Sequence, residues 1–293
     1  MNIAKQPSRL DQAGFRRTSF LLGPFGPLIA YPRLIMLLVW TDVRAMYVRS
    51  ALGLFWVVLL PVFYVAVFVF IRIYLFDRSA RSPDWHGSVL GIGDIPMMAL
   101  MIFAGFIVFW EASEIIGRSP SGTRRYSAYV RDSVFPVEIL PWVTIGNAVF
   151  NLIVRSVIFI IAFAVIVGHF HVTALFFPIV IAPMILMMVG VAYAFSAIGT
   201  YFRDLDFIVT TLMTGMMLLS AVLYPLSEVP AAYRPYAALN PMAMAIEQTR
   251  EVVMLGRMPD WGYLGMATLA GIIMAWAGFA LYRSLRGGFA DVV

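Results

Sequence analysis

Long apolar runs alternate along the chain with short polar or basic breaks, and the lengths of the runs carry the first reading. A helix needs roughly 20 residues to cross the hydrocarbon core of a bilayer. Six runs meet that length, at about 54–75, 95–116, 142–167, 173–198, 207–226 and 262–282. The pattern predicts an all-α integral membrane protein, with six transmembrane helices in a domain covering 54–293.

Before the first span, residues 33–53 turn from apolar to mixed and basic. At about 100° per residue, Val43, Met46, Tyr47 and Ser50 share one side of a helix, with Arg44 and Arg49 on its two flanks. That is the layout of an amphipathic helix lying in a membrane interface, its cations reaching for lipid phosphates. A basic juxtamembrane segment that only fixes orientation has the same pattern. Residues 1–32 are polar, basic and broken by Pro7, Pro24, Pro27 and Pro32. They read as a cytoplasmic arm with short interfacial pieces.

Between the fifth and sixth runs, residues 227–260 hold Pro230, Pro235, Pro241 and two apolar pieces too short to cross. These read as re-entrant or interfacial helices, which lipid tolerates only where protein or water satisfies the backbone.

Composition agrees with the pattern. Of 293 residues 61% are hydrophobic and 13% charged, with mean hydropathy +0.87; a soluble domain carries about 25% charged residues. There is no cysteine, and the three histidines (His86, His169, His171) are too scattered for a metal centre. Lys5 is the only lysine, so no phosphate-binding loop ending in Gly-Lys-Ser/Thr exists here. If ATP drives this protein, a partner chain must bind the ATP and its magnesium.

The net charge of +5 is read by position, not as a nucleic-acid signal. Lys and Arg number fourteen in the arm, the 117–140 and 199–206 loops and the tail, against six in the alternate loops. That excess predicts cytoplasmic termini.

Inside the spans, Asn147, Asn151 and Arg155 recur every four residues and share a helix face. They suit either a polar stripe lining a pathway or an interhelical hydrogen-bond seam. Trp56, Phe63 and Phe70 repeat every seven residues along the first span. Aromatic faces stack on the C–H-rich faces of sugar rings, but packing accounts for the same residues. The acid pairs Glu111 with Glu114, Asp204 with Asp206, and Glu247 with Glu251 sit at helix ends or in the external segment, where solvated carboxylates are common. None reads as catalytic.

Several stretches together resemble the permease subunit of ABC-2-type polysaccharide exporters. DVRAMYVRSALGLFW (42–56) is similar to the family's interfacial helix, and FPVEILP (135–141) to the segment leading into the third span. FRDLDFI (202–208) resembles the turn before the fifth span. YPLSEVPAAYRPYAALNPM (224–242) with IEQTREVVMLGRMPDW (246–261) resembles the external gate segment. The terminal GFADVV (288–293) is closer to the O-antigen branch than to the capsule branch. The resemblance covers about 33–293, in order and at family spacing. Where members often carry a basic pair before the Phe-Pro, this chain has Arg131, Asp132, Ser133 and Val134.

The resemblance implies a homodimer of half-transporters with two cytoplasmic ABC ATPase subunits beneath it in the bacterial inner membrane, exporting a lipid-linked glycan. On that basis Arg44 and Arg49 would hold the lipid phosphates. Trp56, Phe63, Phe70, Asn147, Asn151, Arg155 and Tyr224 are channel-lining candidates. A coupling helix within 119–130 would present Arg124, Arg125, Tyr126 and Tyr129 to the ATPase. Tyr233, Tyr236, Asn240, Glu247 and Arg250 would belong to the gate. A permease for capsule, teichoic acid or a small hydrophobic substrate fits the same features. A membrane glycosyl- or phosphoglycosyl-transferase would need acidic or histidine clusters at the membrane surface, which the sequence lacks.

Overall fold

A computed structural model describes residues 22–48, 55–71, 95–130 and 135–292, and every regular element among them is a helix. Four helical stretches are long and apolar enough to cross a membrane: Ile95–Arg118, Val137–Val167, Val172–Tyr201 and Trp261–Gly288. They coincide with the second, third, fourth and sixth runs. In chain order the α-helices are α1 (Gly26–Ala30), α2 (Pro32–Val48), α3 (Phe55–Ile71), α4 (Ile95–Arg118), α5 (Gly122–Arg125), α6 (Ser127–Val130) and α7 (Leu140–Val167). They continue with α8 (Phe177–Tyr201), α9 (Leu205–Leu219), α10 (Arg234–Ala238), α11 (Pro241–Val253), α12 (Trp261–Leu285) and α13 (Phe289–Val292).

Local chemistry sets the ends of these helices. Pro141 and Pro178 stand in the first turns of α7 and α8, where their missing N–H groups would have no intrahelical partner. Gly168, at φ 77°, closes α7 in the left-handed conformation that glycine adopts without strain. The side chain of Asp260 accepts from the amide of Tyr263 and caps α12.

α4 lies at the centre, with Phe106, Val108, Ala112 and Ile115 almost wholly buried. α8 and α12 pack backbone to backbone. A Cβ at Gly190 would collide with the carbonyl of Met274, and one at Gly278 with the carbonyl of Gly190. The small residues Ala267, Gly271, Ala275 and Gly278 line the buried face of α12. In lipid, where apolar burial gives helices little reason to associate, such close approach supplies the dispersion contact instead.

Three features differ from the sequence expectation. The fifth run helps form α9, which stops at Leu219, 15 residues long and short of the expected end at 226. The chain turns there because Ala221 adopts φ 56° and side chains from the following segment take up the freed carbonyls. The amphipathic helix is α2, but its buried face is Ile35, Leu38, Val39 and Val43, packed on the rest of the fold. Met46, expected on the same side as Val43, is partly exposed. Third, the end of the supposed arm is part of the core. Residues 23–30 form a short helical piece bent 80° from α2. The carbonyl of Pro24 accepts from Trp142 Nε1 at 2.9 Å and from the Tyr193 hydroxyl at 3.2 Å.

The first run is seen as α3, with 54 and 72–75 outside the described residues. The 227–260 segment carries α10 and α11, neither long enough to cross.

Candidate functional site

Polar side chains gather at the two ends of the helix bundle. At one end Asp42, on α2, accepts at Oδ2 from the Tyr126 hydroxyl (2.7 Å) and from Asn147 Nδ2 (2.8 Å). One carboxylate therefore joins α2, the 119–130 segment and α7. Burial, and then the bond to Asp42, push the Tyr126 phenol above its usual range and keep it a donor.

One helical step along α7, Asn151 Nδ2 donates to Glu114 Oε1 at 2.7 Å. Arg118 Nη1 donates to the same oxygen at 2.9 Å, and Arg155 Nη2 reaches Glu114 Oε2 at 3.3 Å. The Arg155 guanidinium also lies over the Trp110 ring, 5.4 Å from its centroid. Asn147, Asn151 and Arg155 thus share a face, and the bonds of that face run to α2 and α4. Glu111, read in the sequence as a solvated helix-end acid, is fully buried. Neither of its oxygens has a hydrogen-bond partner among the described residues.

Arg124, in α5, donates to the carbonyl of Gly199 and pairs with Asp206 in the first turn of α9. Two further contacts hold the 119–130 segment to α8. Ser196 Oγ donates to the carbonyl of Ser119 at 2.9 Å, and a Cβ on Gly199 would strike the backbone of Pro120. Only glycine lets that turn sit so close. Arg125 and Tyr129 are exposed, with the Tyr129 ring 5.2 Å from Phe135.

At the other end Arg250 is 2% exposed and almost fully paired. Nη1 donates to the carbonyls of Ala221 (2.8 Å) and Tyr224 (3.1 Å), Nη2 to Val222 (2.6 Å) and Nε to Met101 (3.2 Å). Glu247 lies 3.7 Å from Nη1 and its carboxylate also accepts from the amide of Leu226. Asn240 Nδ2 donates to the carbonyl of Leu219 at 3.3 Å, while its Oδ1 caps α11 at the amide of Met242. A helix end leaves carbonyls without partners; here the 240–250 region supplies the donors for α9. Gly105 makes room for the cluster, since a Cβ there would stand 2.8 Å from Arg250 Nη2.

Arg44 is exposed on α2, and Arg49 lies outside the described residues. Trp56, Phe63 and Phe70 are exposed along α3, and Tyr233 and Tyr236 are exposed around α10. Tyr224 is half-buried, and its hydroxyl donates to the carbonyl of Leu218. Among the described residues no three His, Asp or Glu side chains converge where a metal ion could sit.

Sequence reasoning missed Asp42 and Asp206 as junctions. Asp42 had a signal: it is an acid in the run LLVWTDV, where a helix has no use for a charge without a partner. Asp206 had none, because an acid in the first turn of a helix is ordinary.

Relatives align over nearly the whole chain. It is 26% identical over 271 residues to the O-antigen export system permease protein RfbA of Myxococcus xanthus, covering 91% of this chain and 97% of that protein. The Klebsiella pneumoniae protein of the same name is 22% identical, over 89% and 95%. The polysialic acid transport protein KpsM of Escherichia coli is 21% identical, over 83% and 90%. Residues 33–254, from α2 through the Arg250 cluster, match the ABC-2 type transporter family. The spanning helices, the tied 119–130 segment and the short helices α10 and α11 all lie in or beside that match, and the chain belongs to the ABC-2 type transporter family.

Proposed function

We propose that the chain is the permease subunit of an ATP-driven exporter that moves a lipid-linked polysaccharide, O-antigen foremost, across the inner membrane. The observation that carries this reading is the alignment of about nine-tenths of the chain with O-antigen export permeases. Two copies would form the conduit and two ABC ATPase subunits would sit beneath it, with both termini cytoplasmic. α3 and α9 would face the conduit, presenting Trp56, Phe63 and Phe70, and the segment from Tyr224 through Tyr236 would close it outside. Exposed Arg125 and Tyr129 would meet the ATPase. Arg44 and Arg49 would hold the lipid phosphates, since a guanidinium fork matches phosphate oxygens bidentately.

The similarity to KpsM supports capsule as a second cargo. One experiment separates the two. A deletion strain is examined for surface polysaccharide and for lipid-linked glycan trapped inside, and the purified complex is assayed for ATP turnover with that glycan. Loss of surface O-antigen, with internal accumulation of its lipid-linked form, is expected. Loss of capsule alone moves the cargo to the second reading, and loss of neither overturns both.

A further inference from the structure

α9 is gripped at its two ends and only lightly packed between them. Val209 is its one buried residue, while Phe207, Leu212, Leu218 and Leu219 are largely exposed. Its remaining contacts with the core run through Leu205, Met213, Met216 and Met217, mostly flexible side chains that tolerate sliding. The hydroxyls of Thr210 and Thr214 bond back to the helix's own carbonyls. At the first turn Arg124 holds Asp206, and it also bonds the carbonyl of Gly199 in the last turn of α8. At the last turn Asn240 holds the carbonyl of Leu219, and Arg250 holds the carbonyls of Ala221, Val222 and Tyr224 in the segment that leads directly out of it. A straight helix of 15 residues spans about 22 Å at 1.5 Å per residue and is stiff along its axis.

We propose that α9 is a push rod. Arg124 and Asp206 are the positioning pair that loads it from the 119–130 segment, and Arg250 and Asn240 deliver its displacement to the 224–253 segment. The reasoning is mechanical. Where the sides are loose and both ends are tied by charged or multiply bonded donors, displacement at one end is conserved at the other. A helix packed along its length, such as α4, would share that displacement with its neighbours. This inference deepens the transport reading and rests on it for the source of the stroke, but the link between the ends can be measured without the ATPase.

The chain has no cysteine, so a single Leu239→Cys reports on the far end. Leu239 is 79% exposed and adjoins Asn240. The full chain is placed in lipid nanodiscs and the rate of maleimide modification at position 239 is measured. Arg124→Asp is expected to change that rate roughly fivefold, within the range of long-distance coupling energies. Arg124→Asp combined with Asp206→Arg restores the pair in reverse and returns the rate to within about twofold of the parent. Arg203→Ala, an exposed cation on the same turn as Asp206, leaves it unchanged.

An unaltered rate in Arg124→Asp overturns the proposal, as does a reversed pair that recovers the melting temperature without recovering the rate. If Arg124→Asp does not fold, Asp206→Asn is read by the same criteria. ATP-dependent export by the assembled complex is scored separately. Loss of that activity from the parent, with the response at position 239 intact, overturns the transport reading and leaves the rod standing.

Discussion

Arg250 Nη1 lies 2.8 Å from the carbonyl oxygen of Ala221, and Ala221 is the one non-glycine among the described residues held at positive φ (56°). An L-residue in that conformation carries about 1–2 kcal/mol of strain. The guanidinium offsets it by occupying carbonyls that the turn exposes in place of helical bonds. The end of α9 is therefore a built feature, made by a side chain 29 positions downstream.

Arg250→Ala leaves four carbonyls and Glu247 without their donor. We expect a loss of about 3–5 kcal/mol, the range for removing one member of a buried charged network. It should read as a lower melting temperature of the purified chain, with Arg250→Lys recovering only part, because one ammonium cannot serve four carbonyls at once.

Ala221→Gly tests the same turn from the other side. Glycine adopts positive φ without strain, so the variant should gain up to about 1 kcal/mol after its greater unfolded-state entropy is subtracted. A fall in melting temperature would contradict the assignment of strain to this residue.

Asp42→Ala strands the Tyr126 hydroxyl and Asn147 amide and should lose about 2–4 kcal/mol. In the combined variant Asp42→Ala with Tyr126→Phe the losses should fall short of additive by about 1 kcal/mol. The pair also sets a pH response. The folded-state value of Tyr126 is raised, so its contribution is complete below the ordinary tyrosine range near 10 and fades as pH rises beyond it. The stability gap between the parent and Tyr126→Phe should be constant up to about pH 9 and close at higher pH. A gap that widens there would refute the bond as drawn.

The phosphate role of Arg44 and Arg49 is tested by replacing both with alanine. Export and substrate-stimulated ATP turnover should fall about tenfold or more, as expected for lost charge-assisted contacts, with the protein still inserted. Unchanged values for both measurements would remove these residues from substrate binding.

Gly278→Leu drives a side chain into the carbonyl of Gly190. Overpacking of this kind costs about 1–3 kcal/mol where side chains can yield, and backbone yields less. The variant should fail to accumulate, whereas Gly287→Leu, with open space around its Cβ, should be neutral.

Spans such as α7 and α12 were legible because apolar length alone decides them and their caps are local: Pro141 and Gly168 for one, Asp260 for the other. The end of α9 was not legible. Residues 207–226 carry no charge, and the donors that stop the helix, Asn240 and Arg250, lie at the cap of α11 and on it. Residues 23–30 misled for a similar reason. Two glycines and two prolines read as part of a cytoplasmic arm until Trp142 and Tyr193 supply partners for the carbonyl of Pro24. Asn147, Asn151 and Arg155 were legible as one face, but not as to what the face meets, since Asp42 and Glu114 stand far away in sequence.

The docked 23–30 piece has a consequence for biogenesis. It is synthesised before the helices it closes against. A Cβ on Gly23 would overlap the ring of Trp276, deep in the last spanning helix. Its site is incomplete until α12 has left the ribosome and joined α8. The 23–30 piece must wait, and its seating marks a chain in which α7, α8 and α12 have all been inserted. A chain truncated before Trp276 would leave that apolar wedge unburied, a surface by which a membrane protease could tell the unfinished protein from the finished one.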